Sequence, residues 1–182
     1  APMYPQTPRT GGVRLNPEDY LELGWEMFGE LCRALALKVA RDYEPDLVVG
    51  IARAGVIPGA VIASILRCDF HSMLVSRKSG GEVVRERPAV LSAVTPDAEG
   101  KKVLLVDEIT TSGDTFRLGT AAVRDVHPKE LRTAAMFVRP MGYAVDYSAL
   151  ETDATVIFPW DRKVFDDDTL VVNPLYHNVI SE

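Results

Sequence analysis

A chain of 182 residues, 47% of them hydrophobic and 25% charged, has the length for one good core and the composition of an ordinary globular protein. Its formal charge of −6 argues against a nucleic-acid partner held by broad phosphate neutralisation, but leaves room for a local basic cluster that binds a small anion. No apolar run approaches the ~20 residues of a membrane span and no signal-peptide pattern opens the chain, so no membrane partner and a cytoplasmic location are expected.

In chain order, residues 1–15, with Pro2, Pro5 and Pro8 and a Gly pair, read as an extended arm, and 16–182 as a single domain. Asn16 and Pro17, followed by Glu18 and Asp19, predict a helix start. Its Leu21, Trp25, Phe28, Leu31, Leu35 and Val39 form an apolar stripe read as core. Residues 46–50 predict a strand, 56–66 a helix whose Pro58 suits a first turn, and 71–76 a further strand. Residues 77–102, rich in charge and Gly with a weak hairpin pattern, read as an excursion between two core strands. Residues 103–106 predict a buried strand, a helix follows from Asp114, and 131–138 and 154–158 supply two more strands. Strands alternating with helices predict an α/β fold, a doubly wound and mostly parallel sheet that binds ligands at the carboxyl ends of its strands. The tail from Lys163, acidic and then apolar, is expected to pack on the body or on a second subunit. Cys32 and Cys68 lie far apart in apolar segments without metal-site spacing and are read as buried free thiols.

The chemistry concentrates in VLLVDEITTSGDT, residues 103–115, a strand, a tight loop and a helix start. Thr110, Thr111, Ser112, Gly113, Asp114 and Thr115 offer backbone N–H groups, hydroxyl donors and the positive end of a helix dipole, which together cradle a phosphate. Asp107 and Glu108 beside that cradle suit a polyol or a metal and would repel a second phosphate. A phosphorylated sugar satisfies both halves. The plainer alternative is a solvated acidic pair beside hydroxyls that only cap a helix. Neither GxxxxGK[ST] nor GxGxxG occurs in the chain.

In this context VLLVDEITTSGDT resembles the phosphoribosyl-pyrophosphate motif of the type I phosphoribosyltransferases. The resemblance implies their sheet with flanking helices, a small hood from the terminal segments, and 5-phosphoribosyl pyrophosphate (PRPP) as donor. The ribose hydroxyls would meet Asp107 and Glu108, the 5-phosphate would enter the loop of residues 110–115, and Asp107, Glu108 and Thr111 become the catalytic positions. GIARAGVIPGAVIA, residues 50–63, resembles the family's pyrophosphate loop, which implies pyrophosphate contacts at Arg53, Ala54 and Gly55, with Lys78 adding charge. In relatives an Arg–Gly pair stands there and the peptide can be cis; Ala54 makes a strained backbone less cheap. Taken alone, Arg53 reads equally as a surface charge. FVRPMGYAVDYSALETDATVIFPWDR, residues 137–162, resembles the base-binding end of the 6-oxopurine enzymes, particularly xanthine-guanine phosphoribosyltransferases. Arg139 stands where they carry a Lys that donates to the 6-oxo group. Val156 stands where a backbone carbonyl reads the base edge, and Asp161 where a carboxylate lies near magnesium.

Two departures fall on the acceptor. Thr111 replaces an Asp that handles the purine proton, and Thr155 replaces an aromatic that stacks on the base. Trp160 is read as an edge-of-core aromatic, with a shifted stacking role as the alternative. The resemblance thus implies a Mg²⁺-dependent transferase that replaces pyrophosphate by a nucleobase, acts as a homodimer or homotetramer, and uses residues 77–102 as a lid. A transferase for another base such as adenine and a non-catalytic PRPP-binding regulator remain as alternatives.

Overall fold

The structure, a computed structural model, describes residues 20–76, 78–79, 82–83, 86 and 88–180. The expected arm, 1–15, and the expected helix start at 16–19 lie outside the described residues. The strands are β1 (Tyr20–Glu22), β2 (Leu47–Ala52), β3 (Asp69–Ser76), β4 (Lys78–Ser79), β5 (Glu82–Val83), β6 (Ala89–Val90), β7 (Lys102–Thr110), β8 (Glu130–Val138), β9 (Tyr147–Glu151), β10 (Thr155–Ile157), β11 (Lys163–Asp166) and β12 (Thr169–Val172). The helices are α1 (Trp25–Ala40), α2 (Val56–Leu66) and α3 (Asp114–Arg124). No helix among the described residues is long and apolar enough to cross a membrane.

The described residues fall into two compact units: Leu31–Thr152, and a terminal unit of 20–30 with 153–180. In the first, β2, β3, β7, β8 and β9 run parallel in the order β3-β2-β7-β8-β9, and β6 adds an antiparallel edge beside β3. The runs LVVGIA and VLLV are apolar at every position because both faces of these strands are covered. Alternation sends Leu47, Val49, Ile51, Val103 and Leu105 into one cluster with Phe116 and Val123 of α3. The absent side chain of Gly119 lets α3 lie close, since a Cβ there would stand 3.1 Å from Leu105 Cδ2. On the opposite face α2 approaches through Gly59, whose Cβ would stand 3.3 Å from Gly50 Cα. Each such buried Val, Leu or Ile contributes about 1.5–3 kcal/mol against an exposed one. Helices on both faces make the sheet doubly wound, as expected.

In the terminal unit β1 pairs in parallel with β10, Tyr20↔Thr155 and Leu21↔Val156, and β11 and β12 form an antiparallel hairpin. Ile157, Tyr176 and Ile180 form its buried cluster, with Tyr20 edge-on to Tyr176 at 6.3 Å. The tail therefore packs on a strand of its own unit, and these terminal strands are the hood-like sheets the resemblance implied.

Several elements differ from the sequence reading. The helix begins at Trp25, and Leu21 lies on a strand instead, because the edge of β10 offers Tyr20–Glu22 a ladder and Leu23 N–H donates to the Ile157 carbonyl at 2.9 Å. Trp25 is 61% exposed, whereas Phe28, Leu35 and Val39 are buried as core. Residues 154–158 do not join the main sheet; β9 takes that edge, and its half-exposed YSALE carries too little apolar alternation to announce it. The strand predicted over 103–106 runs on to Thr110. The hairpin pattern in 77–102 corresponds to β4 and β5. Cys32 is buried, Cys68 is half-buried, and both are free thiols.

Candidate active site

The carboxyl ends of the parallel strands carry the chemistry in the Leu31–Thr152 unit. Asp107 and Glu108, expected at the carboxyl end of the strand, lie within β7, and both are buried. Glu108 N–H donates to Asp107 Oδ1 at 2.9 Å, which ties the Asp107 carboxyl to the next peptide. Burial first, then the charge of Asp107, pushes the Glu108 carboxyl well above its ordinary value of 4.5. A cation or a set of hydroxyl donors at this pair would relieve that cost.

Beyond β7 the chain turns through Thr111, Ser112 and Gly113. Gly113 has φ 84°, a left-handed conformation that glycine adopts freely, and it caps α3. Thr111 and Ser112 are exposed, whereas Thr110 and Thr115 are buried. Asp114 N–H donates to Ser112 Oγ at 3.3 Å, and the remaining first-turn N–H groups of α3 give the loop its positive end.

A second loop meets the acidic pair. The peptide joining Ala52 to Arg53 is cis, as the resemblance allowed even without the Arg–Gly pair. Gly55 N–H donates to Ile51 O at 2.9 Å and packs the turn onto β7. A Cβ on Gly55 would lie 2.8 Å from Asp107 Oδ1 and 2.9 Å from Val106 O, so no other residue fits without displacing backbone. Ala54 is buried and Arg53 is exposed. Lys78 falls on β4, paired with Val83, and its side chain lies outside the described part.

Arg139 follows the end of β8, and its Nη1 donates to the Thr152 carbonyl at 2.9 Å. From Arg139 the chain turns back through Gly142, whose N–H donates to Arg139 O at 3.0 Å, and Tyr143 N–H reaches Thr111 O at 3.2 Å. Gly142 and Tyr143 were not singled out in the sequence. The signal available was a Pro and a Gly shortly after a strand's carboxyl end, at the ligand-binding edge of such a sheet.

The other expected residues belong to the terminal unit. Thr155 is half-buried on β10 and Val156 is buried. Because Ile157 O accepts from Leu23, the alternation of a strand turns the Val156 carbonyl away from β1. Asp161 is buried, and its backbone O accepts from Asn173 Nδ2 at 2.9 Å. Trp160 stacks on Phe158 at 4.7 Å and stands edge-on to Phe28 at 5.3 Å, which makes it part of an aromatic cluster. No group of three or more His, Cys, Asp or Glu side chains that could cage a metal occurs among the described residues.

The model of the phosphoribosyl transferase domain family matches residues 24–166. The xanthine-guanine phosphoribosyltransferase of Gluconobacter oxydans is 29% identical over 161 residues, which cover 86% of this chain and 89% of that protein. The enzyme of the same description from Nitratidesulfovibrio vulgaris is 29% identical over 143 residues, covering 77% and 83%. Among solved structures, a purine phosphoribosyltransferase from Pyrococcus horikoshii Ot3 superposes with a TM-score of 0.69 at 28% identity, over 78% of this chain and 94% of that one. The Helicobacter pylori xanthine-guanine-hypoxanthine phosphoribosyltransferase, at 17% identity and a TM-score of 0.63 over 78% and 92%, shares the fold.

Proposed function

Since the chain belongs to the phosphoribosyl transferase domain family, we propose that it transfers the phosphoribosyl group of PRPP to a 6-oxopurine in purine salvage, releasing pyrophosphate. The observation that carries this reading is the approach of Gly55 to Asp107, which sets the pyrophosphate loop against the acidic pair. In the reaction the bond from the anomeric carbon to the pyrophosphate oxygen breaks, its electron pair leaves with pyrophosphate, and a purine nitrogen forms the new bond while giving up a proton. Positive charge develops on the sugar, so carboxylates at Asp107 and Glu108 favour the transition state while accepting from ribose hydroxyls. The Thr110–Thr115 stretch positions the 5-phosphate, and Arg53, Ala54, Gly55 and Lys78 serve the pyrophosphate.

Magnesium fits these residues. It is held by one or two carboxylates and takes its other ligands from substrate phosphates and water, which matches a buried acidic pair with no third such ligand grouped with it among the described residues. Asp107 and Glu108 would hold it, and it would neutralise the leaving pyrophosphate; Asp161 keeps the place the resemblance gives it, a carboxylate near a pyrophosphate-side ion. Arg139 supplies a donor for a 6-oxo group, and the outward Val156 carbonyl supplies an acceptor for the base edge.

The test is nucleotide formation by the purified protein with PRPP, Mg²⁺ and a panel of bases. Hypoxanthine, guanine or xanthine should be used in preference to adenine. No product with any base, or adenine as the best acceptor, would reject the reading in favour of a PRPP-binding regulator or an adenine enzyme, each consistent with Thr111. We expect a cytoplasmic homodimer or homotetramer; exposed Leu37 and Ile65 offer apolar surface for assembly, and light scattering measures the mass.

A further inference from the structure

We infer that Tyr143, backed by Arg117 and Phe116, is a positioning residue that locks the phosphate loop with its N–H groups facing the ligand and ties that loop to Arg139. The inference rests on the reading that this loop takes the 5-phosphate of PRPP.

Two successive loop carbonyls are held on the Tyr143 side. Thr111 O accepts from Tyr143 N–H at 3.2 Å, and Ser112 O accepts from Arg117 Nη1 at 3.0 Å. In a trans peptide the carbonyl of one residue and the N–H of the next point in opposite directions. Tying back these two carbonyls therefore turns the N–H groups of Ser112 and Gly113 the other way, into the concavity that an anion would fill.

The remaining contacts brace this arrangement. The Tyr143 ring lies against Gly113, where a Cβ would overlap its Cβ, Cγ and Cδ2 atoms. It is parallel to the Phe116 ring, with 6.1 Å between centroids and 11° between planes. The Arg117 guanidinium sits 5.0 Å over the same ring and also bonds Asp114 Oδ1 at 3.1 Å. Arg117 is thus directed at the loop from two sides, and the ring holds it there. The Tyr143 hydroxyl has no hydrogen-bond partner among the described residues, so the ring and backbone carry the function. The turn that delivers Tyr143 starts at Arg139, and a Cβ on Gly142 would stand 3.0 Å from Arg139 O and 3.3 Å from Thr111 O. Loop and base-side cation therefore share one tightly packed connection.

Steady-state kinetics of the full chain, with its best base and Mg²⁺, test the assignment. Tyr143→Ala should raise the KM for PRPP about tenfold or more while kcat at saturating PRPP changes less than about threefold, because the loop can still be driven into shape by its ligand. Tyr143→Phe should stay within about twofold of the wild type on both constants, a rescue that a role for the hydroxyl would not allow. Arg117→Met should weaken PRPP less than Tyr143→Ala, since the ring against Gly113 and Phe116 remains. Calorimetric titration with PRPP supplies the same comparison independently of turnover. If the wild type forms nucleotide and Tyr143→Ala keeps its KM for PRPP within about twofold, the inference is overturned and the functional reading stands. If the wild type binds PRPP without turnover, the transferase reading fails, and a matching loss of PRPP affinity in Tyr143→Ala still supports the lock. A wild type that binds no PRPP overturns both.

Discussion

The donor side and the acceptor side of this enzyme are built in different ways. On the proposed donor side, one uninterrupted strand, loop and helix carries Asp107, Glu108 and residues 110–115, and Gly55 brings the loop proposed for pyrophosphate alongside Asp107. Of the residues proposed for the acceptor, Arg139 follows one strand, while Thr155 and Val156 lie on a strand that pairs with Tyr20–Glu22, far away in sequence. The contrast teaches where tolerance lies. A site fixed by neighbours in sequence has little freedom, and one assembled by long-range pairing can change residues without losing its frame. Of the two departures from the 6-oxopurine pattern, Thr155 lies on the strand held by long-range pairing, whereas Thr111 lies in the contiguous loop and is the exception.

The largest expected effect is on the donor side. Asp107→Asn with Glu108→Gln keeps shape but removes charge-assisted acceptors worth about 1.5–3 kcal/mol each, so PRPP titration should show severe weakening. Unchanged affinity would remove the basis of the donor assignment. The same site predicts a pH effect of opposite sign. A carboxyl raised above 4.5 on folding binds its proton more tightly folded than unfolded, so its contribution favours the fold at low pH and is lost as pH climbs from 4.5 towards the folded value. Glu108→Gln should therefore flatten the fall in melting temperature over that window, even as it weakens PRPP.

Gly55→Ala comes next. Its Cβ would press on Asp107 Oδ1 and on the Ile51 and Val106 carbonyls, and such overpacking costs about 1–3 kcal/mol. Thermal melts should show that loss, and PRPP binding should weaken with it. A variant as stable and as active as the wild type would dissolve the link between the two donor loops.

Acceptor-side changes should be smaller and should spare PRPP. Arg139→Ala removes a cationic donor, so discrimination between hypoxanthine and adenine should narrow by about tenfold, consistent with one lost charged hydrogen bond. An unaltered base ranking would make Arg139 a bond to the Thr152 carbonyl and nothing more. Smallest is the gain from Thr155→Trp, which offers a ring for stacking worth about 0.5–1.5 kcal/mol in the base KM. Thr111→Asp should raise turnover at neutral pH by supplying a carboxylate for the purine proton, at some cost in PRPP affinity from like charge beside the cradle. Single-turnover rates at saturating PRPP separate the two. If Thr111→Asp only impairs a wild type that is already fast, another residue takes the proton.

Local features were legible in the sequence. The buried strand at residues 103–106, the helix after Gly113 and the helix containing Pro58 follow from runs and spacings that neighbouring residues decide. That the strand continues through Asp107 and Glu108 to Thr110 was not legible, because two carboxylates in a buried strand oppose the propensities that mark one. Tyr20–Glu22 carries apolar residues that suit a helix, and only the exposed edge of Thr155–Ile157 makes it a strand. The bracing by Tyr143 depends on a stacking geometry with Phe116 that no spacing records.

The pairing of Tyr20 with Thr155 also sets an order of events during synthesis. Translation proceeds from the N-terminus, and domains fold as their residues emerge. Every strand of the main sheet has been made once Glu151 is added, whereas Tyr20–Glu22 must wait for Thr155–Ile157, and the buried Tyr176 and Ile180 follow near the end. A nascent chain at the ribosome thus completes the elements proposed to hold PRPP before those proposed to choose a base.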